Sequence, residues 1–178
     1  MRSLAAFLWC FGVLFPVSGA TLERLSLDEM IEKSSIIVRA KAGESRSVRR
    51  GPVIYTLTAV EVFERWKGAG RQALEVAVPG GSFASQYQEF SGAPSLKPGS
   101  EYVLFLWTGK SGTHHIIGLS QGLFTLTRND KGDLVVHRAA SSEIMIDPKT
   151  GRPVQDLALT LDLSELRRRV ERSLGAVK

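Results

Sequence analysis

Between Val53 and Arg65 apolar side chains recur at alternate positions, as in a strand with one buried face, but the phase slips. Tyr55 and Leu57 share one parity, and Val60 and Val62 take the other. Strand side chains alternate between two faces, so a change of parity needs an extra residue, a β-bulge near Thr58-Ala59. Long, bulged, coiled strands are what small barrels use to close on themselves. This segment predicts a mainly β chain with a closed sheet.

Other segments fit that expectation. Ser26-Leu27-Asp28-Glu29 has the form of a capping box, predicting a short helix to about Lys33 with Leu27, Met30 and Ile31 on its apolar face. Ile36 to Ala42 reads as a first strand whose second face turns polar, followed by a charged loop from Gly43 to Pro52. Trp66 to Gly70 turns the chain, and Leu74, Val76 and Val78 mark a third strand. Lys97-Pro98-Gly99-Ser100 is turn chemistry opening an apolar fourth strand, Tyr102 to Trp107, expected to be buried on both faces. Further strands are predicted over His114–Leu119, Leu123–Arg128 and Leu134–Arg138, the last two joined through Asn129-Asp130-Lys131-Gly132. Asp147 to Pro153 reads as loop, and Leu157 to Leu163 is apolar without a decisive period. A helix then runs to about Leu174, with Leu163, Leu166, Val170 and Leu174 on one side and arginines on the other.

The amino-terminal end reads as an export signal over residues 1–20. Met1-Arg2 is followed by the apolar run Leu4 to Val17, and Ser18-Gly19-Ala20 supplies the small residues a signal peptidase needs. Cleavage is expected after Ala20, with the product secreted or periplasmic. No later stretch approaches the ~18 apolar residues of a membrane span, so none is predicted. Cys10, the sole cysteine, lies within the signal. A chain starting at Thr21 would therefore hold its fold without disulfides, for which about 158 residues suffice. Losing Arg2 leaves 22 of the 23 Lys+Arg against 18 Asp+Glu, a net charge of about +4. Arg46, Arg49 and Arg50 form one basic cluster and Arg167, Arg168 and Arg169 another. Such clusters are either solvated faces or sites of weak attraction to anionic polymers and membrane surfaces.

Three stretches together carry a resemblance: Ile36-Ile37-Val38-Arg39-Ala40-Lys41-Ala42, Val60-Glu61-Val62-Phe63-Glu64-Arg65-Trp66-Lys67-Gly68, and Gly99-Ser100-Glu101-Tyr102-Val103-Leu104-Phe105. They resemble the netrin-like fold, the OB-type barrel of the tissue inhibitors of metalloproteinases. There, a similar first strand reaches a long second strand ending in Lys-Gly, and a Gly-x-x-Tyr turn opens the fourth. The chain is also similar to small secreted bacterial proteins of unassigned role, through Val78-Pro79-Gly80-Gly81 and Val103-Leu104-Phe105-Leu106. The resemblance implies a five-stranded OB-type barrel with an extra C-terminal β-hairpin and two short flanking helices. The barrel and its amino-terminal helix would occupy residues 21–146, and a segment carrying the amphipathic helix residues 147–178. The inhibitors grip zinc through an amino-terminal cysteine pinned by disulfides. A chain beginning Thr21-Leu22-Glu23 lacks that device, so inhibition by that route is not expected.

Catalytic and metal signatures are weak. Thr108-Gly109-Lys110-Ser111 lacks the earlier glycine of a phosphate loop, since Leu104 stands there. His114 and His115 are adjacent on a predicted strand and should face opposite ways, so no metal site is expected. There is no Gly-x-Ser-x-Gly elbow, and no catalytic residue or cofactor is assigned. A hydrolase would need Ser82 or Ser85 to meet His114 or His115 in a pocket. Nucleic acid is not expected as a partner, because Tyr55, Phe63 and Trp107 read as core or rim packing instead of a stacking platform.

What remains is the stretch between the third and fourth strands, residues 79–100. Structureless loops of that length are uncommon in compact domains unless they work or are disordered. Phe83, Tyr87 and Phe90 stand at i, i+4 and i+7, one side of a short helical turn, with Gln86, Gln88 and Ser91 facing elsewhere. Either the rings fold back as a lid, or they are offered to a partner, as aromatic anchors often are. The expected function is that of an exported, non-enzymatic binding or accessory module. It would engage a secreted or envelope protein through Phe83, Gln86, Tyr87 and Phe90. The alternatives are a hydrolase, or a protease regulator acting by another route.

Overall fold

A computed structural model describes residues 21–175; the predicted signal, residues 1–20, lies outside the described residues. Among the described residues the chain is mainly β, with one large sheet and two helices. After a short strand β1 (Thr21–Glu23), helix α1 (Leu27–Lys33) begins at the predicted capping box. Ser26 Oγ accepts from the Glu29 amide at 3.2 Å, and the Glu29 carboxylate accepts from the Ser26 amide at 2.8 Å. Leu27, Met30 and Ile31 are buried, and Lys67 Nζ donates to the carbonyls of Ile31 and Glu32 at the helix end.

The next two strands, β2 (Ile36–Arg50) and β3 (Val53–Lys67), form one long antiparallel hairpin. The charged loop expected from Gly43 to Pro52 is therefore strand as far as Arg50. The turn is only Gly51-Pro52, with φ 59° at Gly51, the positive value that two-residue hairpin loops favour. The parity change expected near Thr58-Ala59 is not made: Ile54, Thr58, Val60 and Val62 are buried at one parity. Strand β3 pairs with the strand on its other side without a break from Tyr55 to Glu61, and the extra residue at this level is on β2. Ala42 faces Val60 and Ser45 faces Thr58, so Gly43 and Glu44 together oppose Ala59. Two further register shifts, near Ile37/Val38 and Arg39/Ala40, bend the base of the hairpin.

Strand β4 (Ala73–Pro79) pairs with β3, and a small hairpin follows, β5 (Gly81–Phe83) and β6 (Gln86–Gln88). Then come β7 (Glu101–Thr108), β8 (His114–Ile116), β9 (Leu123–Arg128) and β10 (Leu134–Arg138). Pro98-Gly99 makes the predicted turn before β7, with φ 82° at Gly99 and the Ser100 amide donating to the Lys97 carbonyl. Tyr102 Oη accepts from the Lys97 amide at 2.9 Å, which locks that turn. Along one edge β7 pairs with β2; along the other it pairs first with β9 and then with β8. Because β8 also runs parallel to β4, the pairings β7–β2–β3–β4–β8 return to β7.

Tyr102 to Leu106 are all buried, as expected of a strand covered on both sides. Their side chains alternate between two cores. Tyr102, Leu104 and Leu106 join Ile36, Val38, Val60 and Val76, whereas Val103 and Phe105 join Ile37, Phe124 and the apolar faces of both helices. The C-terminal part is built into the same body. Strands β11 (Ile144–Ile146) and β12 (Pro153–Val154) form a small sheet with β1. The ambiguous apolar stretch becomes strand β13 (Leu159–Asp162) on the edge of β10. Helix α2 (Leu163–Gly175) buries Leu166 and Val170 in the second core, as its period predicts. Arg138 on β10 grips Asp156 with two hydrogen bonds of 2.8 and 2.9 Å, both side chains being nearly inaccessible. Gln121, also buried, accepts from the Leu25 amide and donates to the Glu23 carbonyl, tying the amino-terminal strand to the body.

Candidate functional site

The crossing from β4 to β7 begins where Pro79-Gly80-Gly81 passes over the distal half of the β2–β3 hairpin. The inner face of that hairpin is lined with hydroxyls: Ser45 and Thr58 bond each other at 2.8 Å, and Thr56 donates to the Gly80 carbonyl at 2.8 Å. A Cβ on Gly81 would stand 2.6 Å from Thr56 Oγ1, and φ there is 125°. Only glycine allows the backbone to lie this close. The small hairpin is fastened to the tip of the long one through polar groups. Gln88 accepts from the Ile54 amide at 2.7 Å and donates to the Pro52 carbonyl at 2.8 Å, while Gln86 Oε1 accepts from Arg49.

The helical turn expected around Phe83, Tyr87 and Phe90 is replaced by this β-hairpin. Its tip turns through Ala84, held at φ 52°. Ser82 pairs with Tyr87 and Phe83 with Gln86, so Phe83 and Tyr87 leave from opposite faces, not one side. The rings do not fold into the core: Phe83 is 41% exposed, Tyr87 69% and Phe90 38%. Of the four residues singled out in the sequence, Gln86 serves as an acceptor for Arg49, and the three aromatics are left at the surface.

Two depressions flank the crossing. One, of ≈ 500 Å³, lies between the hydroxyl-lined floor of Ser45, Thr56 and Thr58 and the walls formed by Tyr87 and Phe90. The second, of ≈ 280 Å³, is lined by Tyr55, Trp107, His115 and Leu119. Val78, Pro79 and Pro94 line both, so the two adjoin at the crossing. In the second part His115 stacks on Trp107 with ring centres 4.8 Å apart, and Tyr55 meets the imidazole edge-on at 5.9 Å. Burial pushes the His115 pKa below the ordinary histidine value, with the Arg50 charge acting the same way, so the ring stays neutral and apolar in character. Leu119 holds φ 64°, a left-handed conformation that a branched side chain rarely adopts.

Tyr55 and Trp107 read in the sequence as core or rim packing, and His115 as a strand histidine outside any metal site. They come from three strands, so no local spacing announces them. The one available cue is Trp107, a large aromatic at the point where an apolar strand runs into a Thr-Gly turn.

Reaction chemistry is not assembled from the residues considered for it. Ser82 and Ser85 lie on the small hairpin and its tip, and among the described residues no hydrogen bond joins either to His114 or His115. His114 Nδ1 instead meets Thr108 Oγ1 at 3.1 Å. The two histidines line different depressions. Among the described residues no three His, Cys, Asp or Glu side chains gather as metal ligands. The Thr108–Ser111 stretch is a turn closed by the Gly109 amide on the Thr113 carbonyl, and a strand follows it, not a helix. Compared with protein-family models, curated proteins and solved structures, the chain matches none.

Proposed function

We propose that this chain is an exported, non-enzymatic binding module on an OB-type, netrin-like barrel, and that it engages a secreted or envelope protein through the 79–100 crossing and its adjoining groove. The barrel reading is supported by the order of the five cyclic pairings and by the parallel β4–β8 contact. The observation that carries the functional reading is the pairing of exposed rings with a fastened backbone. Tyr87 on the small hairpin and Phe90 just beyond it are exposed, on a backbone held by four side-chain hydrogen bonds and the close approach at Gly81, beside an apolar groove lined by Pro79 and Pro94. Aromatics on a pre-ordered surface lose little entropy on binding, which is how interface anchors gain their affinity.

The test compares the purified protein with Tyr87→Ser and Phe90→Ser variants as immobilised bait for envelope and secreted proteins, with each captured partner then titrated. An anchor in such an interface contributes about 2 kcal/mol, so each variant should bind its partner roughly 30-fold more weakly. Because Tyr87 is mostly exposed, Tyr87→Ser should melt within about 2 °C of the parent. Equal binding by parent and variants would refute the assignment of this surface.

A further inference from the structure

A third depression, of ≈ 520 Å³, shares no lining residue with the aromatic groove. Its walls include Arg50 from the hairpin tip, Gly70 and Arg71 from the β3–β4 connection, and Ser111, Thr113 and His114 from the β7–β8 turn and strand β8. Arg65 adjoins it. Its Nη2 donates to the Arg71 carbonyl at 2.6 Å, and a Cβ on Gly70 would stand 3.7–4.0 Å from its guanidinium. The His114 pKa is pushed down by burial first and by the Arg65 charge second, which places that charge beside the same wall.

Two observations separate this cluster from an ordinary solvated basic surface. Arg65 Nη1 is buried and has no hydrogen-bond acceptor. Such donors are rarely left unmade in folded proteins. The second concerns charge balance. Glu75 is the sole carboxylate in the lining, and it already accepts from Arg46 at 2.6 Å, while Arg50 donates only to the neutral hydroxyl of Thr113. Two guanidiniums, those of Arg50 and Arg71, therefore line a hollow that offers them no free anion, and the Arg65 charge stands behind its Gly70 wall. Guanidinium groups bind tetrahedral oxyanions through paired N–H donors, and the hydroxyls of Ser111 and Thr113 add neutral donors.

We propose that this depression binds a small oxyanion, the phosphate or sulfate group of a free solute or of an anionic polymer. The anion bridges Arg50 to Arg71, and the uncompensated Arg65 charge behind the Gly70 wall adds to its attraction. The volume exceeds that of one such ion, which leaves room for the moiety that carries it.

The test titrates inorganic phosphate, inorganic sulfate and dextran sulfate against the purified protein at constant ionic strength, with chloride as the reference. Side-chain NMR of Arg65 and the His114 ring follows occupancy, and calorimetry gives affinity. Saturable shifts at both side chains are expected. Arg50→Ala and Arg71→Ala should each weaken binding at least tenfold. Arg168→Ala, which removes the same charge from the exposed face of α2, should change it less than twofold. Tight binding of the polymer with weak binding of the free ions assigns the group to a polymer; comparable binding of the free ions assigns it to a solute. The proposal is overturned if the shifts do not saturate, if chloride reproduces them, or if Arg168→Ala weakens binding as much as Arg71→Ala.

Discussion

Replacing Asp156 by alanine should remove a large part of the protein's stability, although the residue lines neither candidate site. Arg138 and Asp156 are joined by two short hydrogen bonds, with side-chain exposures of 8% and 2%. The carboxylate also accepts from the Ser141 amide at 2.8 Å. Truncation would strand a buried guanidinium with only the Leu157 carbonyl as partner and leave the Ser141 amide without its acceptor. Breaking a buried ion pair from one side costs about 3–5 kcal/mol. For a domain of this size that is a fall in melting temperature of roughly 6–20 °C. The ion pair itself is not a strong net stabiliser, because both charges were desolvated to form it. Arg138 Nε is buried without a partner even in the intact protein. A double variant, Arg138→Met with Asp156→Leu, should therefore recover at least half of the loss. Urea unfolding of the parent, the single and the double variant reads both effects as free energies. A single variant within about 1 kcal/mol of the parent, or a double variant no better than the single, would refute the reasoning.

Gly68 sits at φ 79° where a Cβ would come within 2.4 Å of the Ser35 carbonyl, so Gly68→Ala combines left-handed strain with a backbone clash. It should lose more than about 2 kcal/mol in the same urea assay, whereas Gly132→Ala, with a similar φ but open space, should lose only about 1–2 kcal/mol. Stability should also decline with acid in two stages. Burial lowers the pKa of both His114 and His115, so their neutral forms favour folding above about pH 6.5 and that contribution fades as pH falls toward their folded values. Burial alone would raise Asp156 and Glu64, but hydrogen bonds from Arg138 and Ser141, and from Trp66 and Arg39, hold both carboxyls below the ordinary range. Their contribution is present above about pH 4 and is lost as pH falls through the depressed values. Thermal melts from pH 8 to pH 3 should show both declines; a melting temperature that rises between pH 6.5 and pH 5 would contradict the histidine assignment.

The elements that were legible in the sequence are those whose own side chains carry the pattern. The capping box at Ser26, the strands over Leu123–Arg128 and Leu134–Arg138, and the apolar face of α2 each announce themselves within a few residues. The distal half of β2 does not. Its inward positions are Ser45 and Ser47, which meet hydroxyls and a glycine crossing instead of a hydrophobic core, so no alternation of apolar and polar residues is produced. Gly51-Pro52 was the available cue to the hairpin. The apparent parity change in β3 is not a bulge in that strand: Tyr55 and Leu57 fill its outer face while Thr56 and Thr58 leave the inner face polar, and the extra residue sits on β2. The spacing of Phe83, Tyr87 and Phe90 matches a helical interval, but the pairing of Phe83 with Gln86 around Ala84-Ser85 puts Phe83 and Tyr87 on opposite faces. Ala84 at φ 52° gives none of the usual glycine or asparagine warning. The Tyr55–Trp107–His115 cluster and the basic hollow are assembled from distant segments by the sheet pairings, and only the pairings reveal them.

The binding of the amino-terminal strand bears on the order in which the chain can fold. Strand β1 has its partner in β11, and Gln121, which donates to its Glu23 carbonyl, lies 98 positions from Glu23; among the described residues only the exposed Lys33–Glu23 ion pair holds it locally. The β2–β3 hairpin can form from neighbouring residues, whereas β1 must wait until nearly all of the chain is available. Contacts of such wide sequence separation carry the highest loop-closure cost and slow folding. Thr21–Glu23 therefore acts as a latch set last, and its amides should be the last strand amides to gain protection in a pulsed hydrogen-exchange refolding experiment.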